Sequence, residues 1–218
     1  MKKIEALKKL KLLKGLNIRD ITQKYEVTVW KNGKINKGWF GHTIERYLGL
    51  PINSSQSPNF GSWELKTISM KKLKNGEIVP KETMAITMID AFNVKNTPFE
   101  ESHLFSKLKK MVICVRLFDS KLEEKSILLD VVDFNLENHE VLSQIKSDYE
   151  LIRQTIINDG FAKLTGKMGV FIQPRTKGAG HGSTSRAFYA RISLIKKIIG
   201  NIEIPHSVFV EALKVDGE

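Results

Sequence analysis

Residues 58–70 read PNFGSWELKTISM, a polar, Gly-containing turn followed by alternating apolar and polar side chains. The alternation over 63–70 predicts a β-strand, in which every second side chain points to the same face. Trp63 and Leu65 are therefore expected to face the core, and Glu64 and Lys66 to face the opposite side. An acid and an amine thus project together from a rigid strand, next to a turn that can bring Asn59 alongside.

The sequence on either side of this strand predicts an α+β fold. Apolar spacing and terminal Gly residues predict helices over 2–15, 38–49, 102–110 and 137–160. Further strands are predicted over 82–92, 111–118, 126–134, 169–174 and 187–192. Asn75-Gly76 predicts a hairpin turn that returns the chain through 82–92, and no element is assigned within 193–218. We expect a mixed, mostly antiparallel central sheet flanked by helices.

Length and composition favour a single domain. The chain has 218 residues, of which 41% are hydrophobic, enough to bury a core and to exclude wholesale disorder. We expect one domain over 1–218, and a division into two lobes around a cleft is compatible with it. In that division, about 1–110 would form a catalytic lobe and 111–218 a DNA-recognition lobe.

Cysteine content and hydropathy point to the cytoplasm. The single cysteine, Cys114, lies in the apolar run MVICV, which excludes a disulfide framework and a Cys-based zinc site. The sequence contains no run of 18 apolar residues, so no membrane span is expected. Lysines interrupt the apolar positions of 1–15, so this segment does not read as a signal peptide.

The charge balance indicates a polyanionic partner. The 35 Lys and Arg residues against 24 Asp and Glu give a formal net charge of +11. DNA, RNA or an anionic membrane would fit this surplus, and solubility alone is the plainer explanation. The basic residues cluster near polar and Gly-rich segments, which favours a binding groove. The amphipathic segment 2–15 has no Trp or Phe to anchor it in a membrane surface, so we expect it to pack on the domain.

The Glu64 and Lys66 pair suits metal-assisted hydrolysis of a phosphodiester. Carboxylates hold Mg²⁺, which polarises the phosphate and lowers the pKa of an attacking water. A Lys ammonium stabilises the charge that develops or orients the water. The spacing alone is weak, because it occurs by chance in basic proteins. An exposed Glu–Lys strand face is the alternative.

Two segments, NKGWFGHTIERYL at 36–48 and PNFGSWELKT at 58–67, resemble the MutH-type PD-(D/E)xK endonucleases. This family includes a mismatch-repair protein that nicks GATC sites, and restriction enzymes that cleave GATC or, in the MvaI and BcnI type, CCNGG-like sites. The resemblance continues through 71–83, 99–110 and 173–191, in order and at compatible spacings. It implies a restriction-endonuclease-like fold with a DNA-binding cleft, Mg²⁺ as cofactor and double-stranded DNA as partner.

The resemblance also implies a role for individual positions. Glu64 matches a metal ligand and Lys66 the catalytic amine, while Glu45 matches a helix glutamate that assists at the metal site. Lys107 matches a second lysine near the scissile phosphate. The DNA-binding positions, from the resemblance and from the Gly-rich loop 174–186, are Lys37, Gln173, Arg175, Lys177, His181, Arg186 and Tyr189. A surface role remains the alternative for each of these, and an ordinary loop position for His181.

Two positions depart from the family pattern. Asn59 stands where the family has Asp, and an amide is a weaker Mg²⁺ ligand than a carboxylate. This makes residue 59 either an engineered inactivating change or a natural impairment, and its spacing to Glu64 is closer to the MvaI and BcnI type. Gln173 stands where the GATC nicking protein has Arg, with Arg175 and Lys177 close enough in sequence to compensate.

The resulting expectation is a Mg²⁺-dependent, site-specific type II deoxyribonuclease whose activity is impaired by Asn59. Cleavage would leave a 5′-phosphate, with GATC the favoured site and CCNGG-like sites second. A DNA-binding protein that no longer cuts is the alternative, and a generic nucleic-acid binder with an accidental motif is a third hypothesis. A monomer and a homodimer on DNA both remain open.

Overall fold

The computed structural model describes residues 1–50, 58–118, 124–178, 184–200 and 202. The described helices are α1 (Lys3–Lys11), α2 (Trp39–Tyr47), α3 (Ala91–Asn96), α4 (His103–Leu108), α5 (His139–Asn158) and α6 (Ile192–Ile199). The described strands are β1 (Trp30–Lys31), β2 (Lys34–Ile35), β3 (Glu64–Lys72), β4 (Ile78–Pro80), β5 (Met84–Met88), β6 (Lys110–Leu117), β7 (Leu128–Asn135), β8 (Ile172–Thr176) and β9 (Arg186–Ala190). The predicted α+β class is confirmed.

The central sheet has the strand order β4-β3-β6-β7. β3 and β6 are parallel, in register from Glu64 opposite Met111 to Met70 opposite Leu117, and the other two pairings are antiparallel. Residues 111–115 of β6 are fully buried, as expected for a continuously apolar strand with neighbours on both sides and layers on both faces. Cys114 lies in this buried stretch, so its thiol is enclosed by the core.

A second, antiparallel sheet has the order β5-β9-β8 and corrects the predicted hairpin. The Asn75-Gly76 turn is present, but the strand that returns beside β3 is β4, and the ladder ends near Pro80, which has no N–H to donate. The segment predicted as the return, 82–92, instead contains β5, which pairs with β9. The remainder of that segment begins α3 at Ala91.

Two apolar clusters pack against the opposite faces of the central sheet. Alternation along β3 places Trp63 and Leu65 in the cluster with α1 and α2, and Ile68 and Met70 in the cluster with α5 and α6. α6 falls within the tail where no element was assigned, and it buries its apolar face in the second of these clusters. Packing on both faces therefore makes β3 a rigid support for its side chains.

The two helices on the first face follow their sequence pattern with one exception. α2, within the predicted helix 38–49, buries Phe40 and Ile44, and Gly49 follows it with a φ of 82°, a left-handed conformation that favours glycine. Burial of each large apolar side chain contributes about 1.5–3 kcal/mol. In α1, Leu10 is buried but Ile4 is 63% exposed, so the apolar residues of this amphipathic segment do not all pack on the domain. No described helix is both long and apolar enough to cross a membrane.

Candidate active site

β3 presents Glu64 and Lys66 on one side, as its alternation predicts. The Lys66 Nζ lies 2.8 Å from Glu64 Oε1. The Glu64 side chain is only 1% exposed, and that of Lys66 is 19% exposed. Since Trp63 and Leu65 are buried on the opposite side, the strand has no freedom to rotate the pair outwards. The prediction that the two polar side chains project together is therefore met by the geometry.

The Glu64 carboxylate is the centre of a larger cluster. Lys107 Nζ, from α4, donates to Glu64 Oε1 at 3.1 Å, so two ammonium groups share one oxygen. The Asn59 backbone N–H donates to the other oxygen, Oε2, at 2.9 Å. A carboxylate this buried is stable in its charged form only when it is paired and hydrogen-bonded, and these contacts supply both. Burial lowers the pKa of Lys107, although the neighbouring Glu64 charge opposes that shift.

The turn before β3 places Asn59 against the Glu64 carboxylate. Phe60 stacks on Trp63 with ring centroids 3.9 Å apart, and its N–H donates to the Trp63 carbonyl at 3.1 Å. Gly61 takes a φ of 74° and donates to the Pro58 carbonyl, which closes the turn. The turn is thus fixed by stacking and backbone hydrogen bonds.

Asn59 also reaches α2. Its Nδ2 donates to Glu45 Oε1 at 3.1 Å, which joins the helix carboxylate to the strand carboxylate through one residue. Burial raises the pKa of Glu45, the charge of Lys66 opposes the rise, and the charge of Glu64 adds to it. The structure therefore brings together all five side chains that the sequence singled out for catalysis. We call this group the Glu64 cluster: Glu45, Asn59, Glu64, Lys66 and Lys107.

The Glu64 cluster contains two carboxylates that can ligate a hard cation. Among the described residues, no group of three or more His, Cys, Asp or Glu side chains is arranged to hold a metal ion. Glu45 and Glu64 are nonetheless both in contact with residue 59, and carboxylate and amide oxygens are the donors that Mg²⁺ accepts. These oxygen donors are of the kind that bind a divalent cation. Asn59 supplies an amide oxygen, and a third carboxylate at this position would bind the cation more strongly.

A cleft of about 630 Å³ opens beside the Glu64 cluster. Its walls come from α2, β3, β5 and the β8–β9 hairpin. Glu45 and Lys66 line it together with three residues predicted to bind DNA, which are Lys37, Lys177 and Tyr189. Burial raises the pKa of Tyr189, and the charge of Arg175 opposes the rise. The cleft thus joins the predicted catalytic residues to part of the predicted DNA-binding set.

The other predicted DNA-binding residues lie around the hairpin. Arg175 donates to Thr83 Oγ1 at 2.8 Å, and its guanidinium lies 5.6 Å from the Tyr189 ring centroid. Gln173 is buried and pairs with Tyr189 across β8 and β9. Arg186 donates to the Leu164 carbonyl at 3.2 Å, a contact that ties β9 to the segment before β8. His181 lies outside the described residues.

A buried carboxylate from α5 holds the start of β8. Asp148 is 2% exposed, and its oxygens accept hydrogen bonds from the backbone N–H groups of Val170, Phe171 and Ile172 at 2.9, 2.6 and 2.7 Å. These amides precede the strand that carries Gln173 and Arg175. Asp148 therefore positions the hairpin, a role that the helical pattern of 137–160 did not indicate.

Sequence reasoning missed two further residues of the cleft, His42 and Arg116. Arg116 is 7% exposed and donates to Ser69 Oγ at 3.0 Å and to Ser126 Oγ at 2.7 Å. A signal was available, because Arg116 is the single charge in the apolar strand MVICVRLF. Burial lowers the pKa of His42, and the charge of Arg46 lowers it further.

Comparisons with known proteins find similarity to DNA mismatch repair and restriction enzymes. A family profile described as DNA mismatch repair enzyme MutH matches residues 48–148, a range that contains four members of the Glu64 cluster. A DNA mismatch repair protein MutH from Shewanella woodyi is 27% identical over 211 residues, which cover 89% of this chain and 90% of the relative. The type II restriction enzyme Sau3AI from Staphylococcus aureus is 29% identical over 164 residues, which cover 73% of this chain and 33% of the relative.

Proposed function

Given these similarities, we propose that the chain is a MutH-type, restriction-endonuclease-like protein, and that it is a Mg²⁺-dependent DNA endonuclease that cuts at a short specific site. The family and the relatives support a sequence-specific nuclease that acts on DNA. The observation that carries the proposal is the Glu64 carboxylate, which contacts Asn59, Lys66 and Lys107 at the edge of a basic cleft. The protein would act in the cytoplasm, where its substrate lies, as one domain with a DNA-binding cleft.

MutH-like endonucleases generally use a divalent metal, and here Glu64, Glu45 and the Asn59 amide would hold it. When bound, such a cation polarises the phosphate and lowers the pKa of an attacking water. The chain's own contribution is electrostatic. Lys66 and Lys107 present ammonium groups that stabilise the negative charge developing on the phosphate, and they are fixed in place by Glu64 before DNA arrives.

The role in the cell and the site cut are further parts of the proposal. We favour type II restriction at GATC, with CCNGG-like sites second. Of the two relatives named above, one is a mismatch-repair protein and the other is a restriction enzyme. This chain spans about a third of the restriction enzyme. The mode of cleavage distinguishes them in practice, because a restriction enzyme cuts both strands and a single active site acting once leaves a nick.

A DNA-binding protein that no longer cuts is the second candidate, and one contact favours it. The Asn59 amide donates to Glu45 at 3.1 Å, so this carboxylate is satisfied by a neutral partner. An amide donor in that place competes with a cation for the same oxygen. The impaired enzyme and the non-cutting protein therefore share one fold and one cleft, and they differ in residual activity.

The test is cleavage of supercoiled plasmid under single-turnover conditions with Mg²⁺. The unchanged chain should cut slowly, and Asn59→Asp should cut faster by several orders of magnitude, because a third carboxylate completes the oxygen donors. The mapped ends should carry a 5′-phosphate at GATC, and separate plasmids with only CCNGG-like sites test the second choice. Absence of cleavage by both proteins, with intact DNA binding, would support the non-cutting candidate.

Two matched variants complete that experiment. Glu64→Ala in the Asn59→Asp background should abolish cleavage, which excludes a contaminating nuclease. Asn75→Asp adds the same charge in the exposed β3–β4 turn and should leave the rate of the unchanged chain as it is. Equal rates for the unchanged chain and Asn59→Asp would show that residue 59 is not a metal ligand.

A further inference from the structure

Lys177 directly follows β8 and extends the hairpin by one pair, since its N–H donates to the Ser185 carbonyl at 2.9 Å. Side chains alternate along a strand, so Lys177 falls on the same face as Gln173 and Arg175. It also lines the cleft with Lys66 and Glu45. One side chain of the hairpin therefore faces the Glu64 cluster across the cleft.

The charges in this part of the cleft are unequal. Lys66 and Lys107 share the one Oε1 of Glu64, and Lys177 adds a third ammonium group close enough for their charges to act on it. Burial lowers the pKa of Lys177, and the charges of Lys66 and Lys107 lower it further. Lys37 and Arg116 line the same cleft, and the acidic residues among its lining are Glu45 and Glu82.

Like charges gathered in a partly desolvated cleft repel each other, and an added anion relieves this repulsion. A DNA phosphodiester carries the negative charge that relieves such repulsion. An arrangement of this kind is costly in the free protein and favourable in a DNA complex. It therefore indicates where along the cleft a backbone phosphate binds.

We propose that Lys177 contacts the same phosphate as Lys66, so that a residue of the DNA-recognition hairpin acts at the cleavage centre. The inference rests on the proposed function and deepens it. Gln173 and Arg175 lie on β8 and Lys177 directly follows it, so base contacts by the first two set the position of the third. Site recognition and charge stabilisation at the reacting phosphate are thereby coupled through β8. Lys177 becomes a catalytic residue in addition to a DNA-binding one.

The test is a binding measurement with modified DNA in EDTA, which requires no cleavage. The probes are short duplexes that contain the DNA sequence that competes best for binding to the protein. In each duplex one phosphate is replaced by a neutral methylphosphonate. Affinities are measured for the unchanged chain, Lys66→Gln, Lys177→Gln and Lys177→Arg. Lys8→Gln, on the exposed face of α1, is the matched control.

Lys177→Gln should weaken binding of the unmodified duplex by roughly tenfold, the loss expected for a hydrogen bond to a charged group. For one methylphosphonate duplex, Lys177→Gln should bind as tightly as the unchanged chain does. We expect this to be the same duplex for which Lys66→Gln also shows no loss of affinity. Lys177→Arg should retain the affinity, and Lys8→Gln should bind like the unchanged chain.

Two outcomes would overturn the proposal in different ways. If the Lys177→Gln loss vanishes only at a phosphate distant from the Lys66 position, or at none, Lys177 is a general DNA contact and the inference fails while the proposed function stands. If the unchanged chain binds duplex DNA without salt dependence, the proposed function fails and the inference fails with it.

Discussion

Asn59 Nδ2 donates a hydrogen bond to Glu45 Oε1 across 3.1 Å, and this contact ties the turn before β3 to α2. The backbone N–H of the same residue donates to Glu64 Oε2 across 2.9 Å. Residue 59 therefore lies between two carboxylates and satisfies both without a cation. A carboxylate in its place would face two like charges until a divalent cation bound.

Asn59→Asp should therefore make the free energy of unfolding depend on divalent metal. In EDTA the variant should be less stable than the unchanged chain by about 1–3 kcal/mol, because Glu45 loses a donor and gains a like charge. Mg²⁺ should recover this loss and raise the melting temperature with concentration, as expected for a ligand that binds the folded state. Thermal unfolding with and without Mg²⁺ measures both effects.

The control for that experiment is Asn75→Asp, which places the same new charge in an exposed turn. Its melting temperature should respond to Mg²⁺ no more than that of the unchanged chain. A melting temperature of Asn59→Asp that is equal in EDTA and in Mg²⁺ would contradict the assignment of residue 59 to the metal site.

Asp148→Asn should loosen the recognition hairpin. The carboxylate accepts three backbone N–H groups at the start of β8, and hydrogen bonds to a charged group contribute about 1.5–3 kcal/mol each. An amide keeps one acceptor oxygen, so we expect a loss of about 2–4 kcal/mol in the free energy of unfolding. Denaturant titration measures this, with Asp159→Asn, exposed after α5, as the control. An unchanged midpoint would mean that Asp148 does not hold β8.

Three members of the Glu64 cluster, Asn59, Glu64 and Lys66, were predictable from the sequence because their proximity has a local cause. Alternation on β3 fixes the faces of Glu64 and Lys66, and a short turn places Asn59 nearby. The convergence of Glu45 and Lys107 is a tertiary fact, and the sequence supplied it only through resemblance to a family. Roles assigned in this way stay predictions until cleavage is measured.

The wrong pairing of 82–92 and the missed role of Asp148 have physical causes of a different kind. The segment 82–92 has strand character, but its partner is β9, roughly a hundred residues later, and no local signal specifies such a pairing. Asp148 lies on an ordinary helical pattern, and its three amide partners come from a loop more than twenty residues away. Long-range pairings depend on the packed core rather than on neighbouring residues.

His42 should make stability depend on pH below 6.5. Burial first, and then the charge of Arg46, lower the pKa of His42 from its usual 6.5. Between the lowered pKa and 6.5 the unfolded chain binds more protons than the folded protein, so stability rises with pH through this window and is lost as the pH falls through it. His42→Gln should flatten that part of the curve. Unfolding free energies of the two proteins should differ in slope within the window and run parallel above it, and curves that are parallel within the window as well would contradict the prediction.

Glu64→Gln should be the most destabilising substitution in the cluster. Glu64 is buried and accepts two ammonium groups on one oxygen, and a neutral amide would leave Lys66 and Lys107 without that charge. Breaking a buried ion pair from one side costs about 3–5 kcal/mol, whereas removing both partners costs less. Lys107→Met combined with Glu64→Gln should therefore be more stable than the sum of the single changes predicts.

Denaturant unfolding of the two single variants and the double variant measures that coupling. The exposed pair of Lys146 and Glu100 provides the comparison, and Glu100→Gln should cause little change, because surface pairs are screened by water. DNA-binding measurements distinguish the effect of a substitution on stability from its effect on function. Glu64→Gln removes a negative charge beside the phosphate, so its folded fraction should bind DNA as tightly as the unchanged chain or more tightly. Made in the Asn59→Asp background, the same substitution should abolish cleavage. Weaker DNA binding by folded Glu64→Gln would show that Glu64 does not lie beside the bound phosphate.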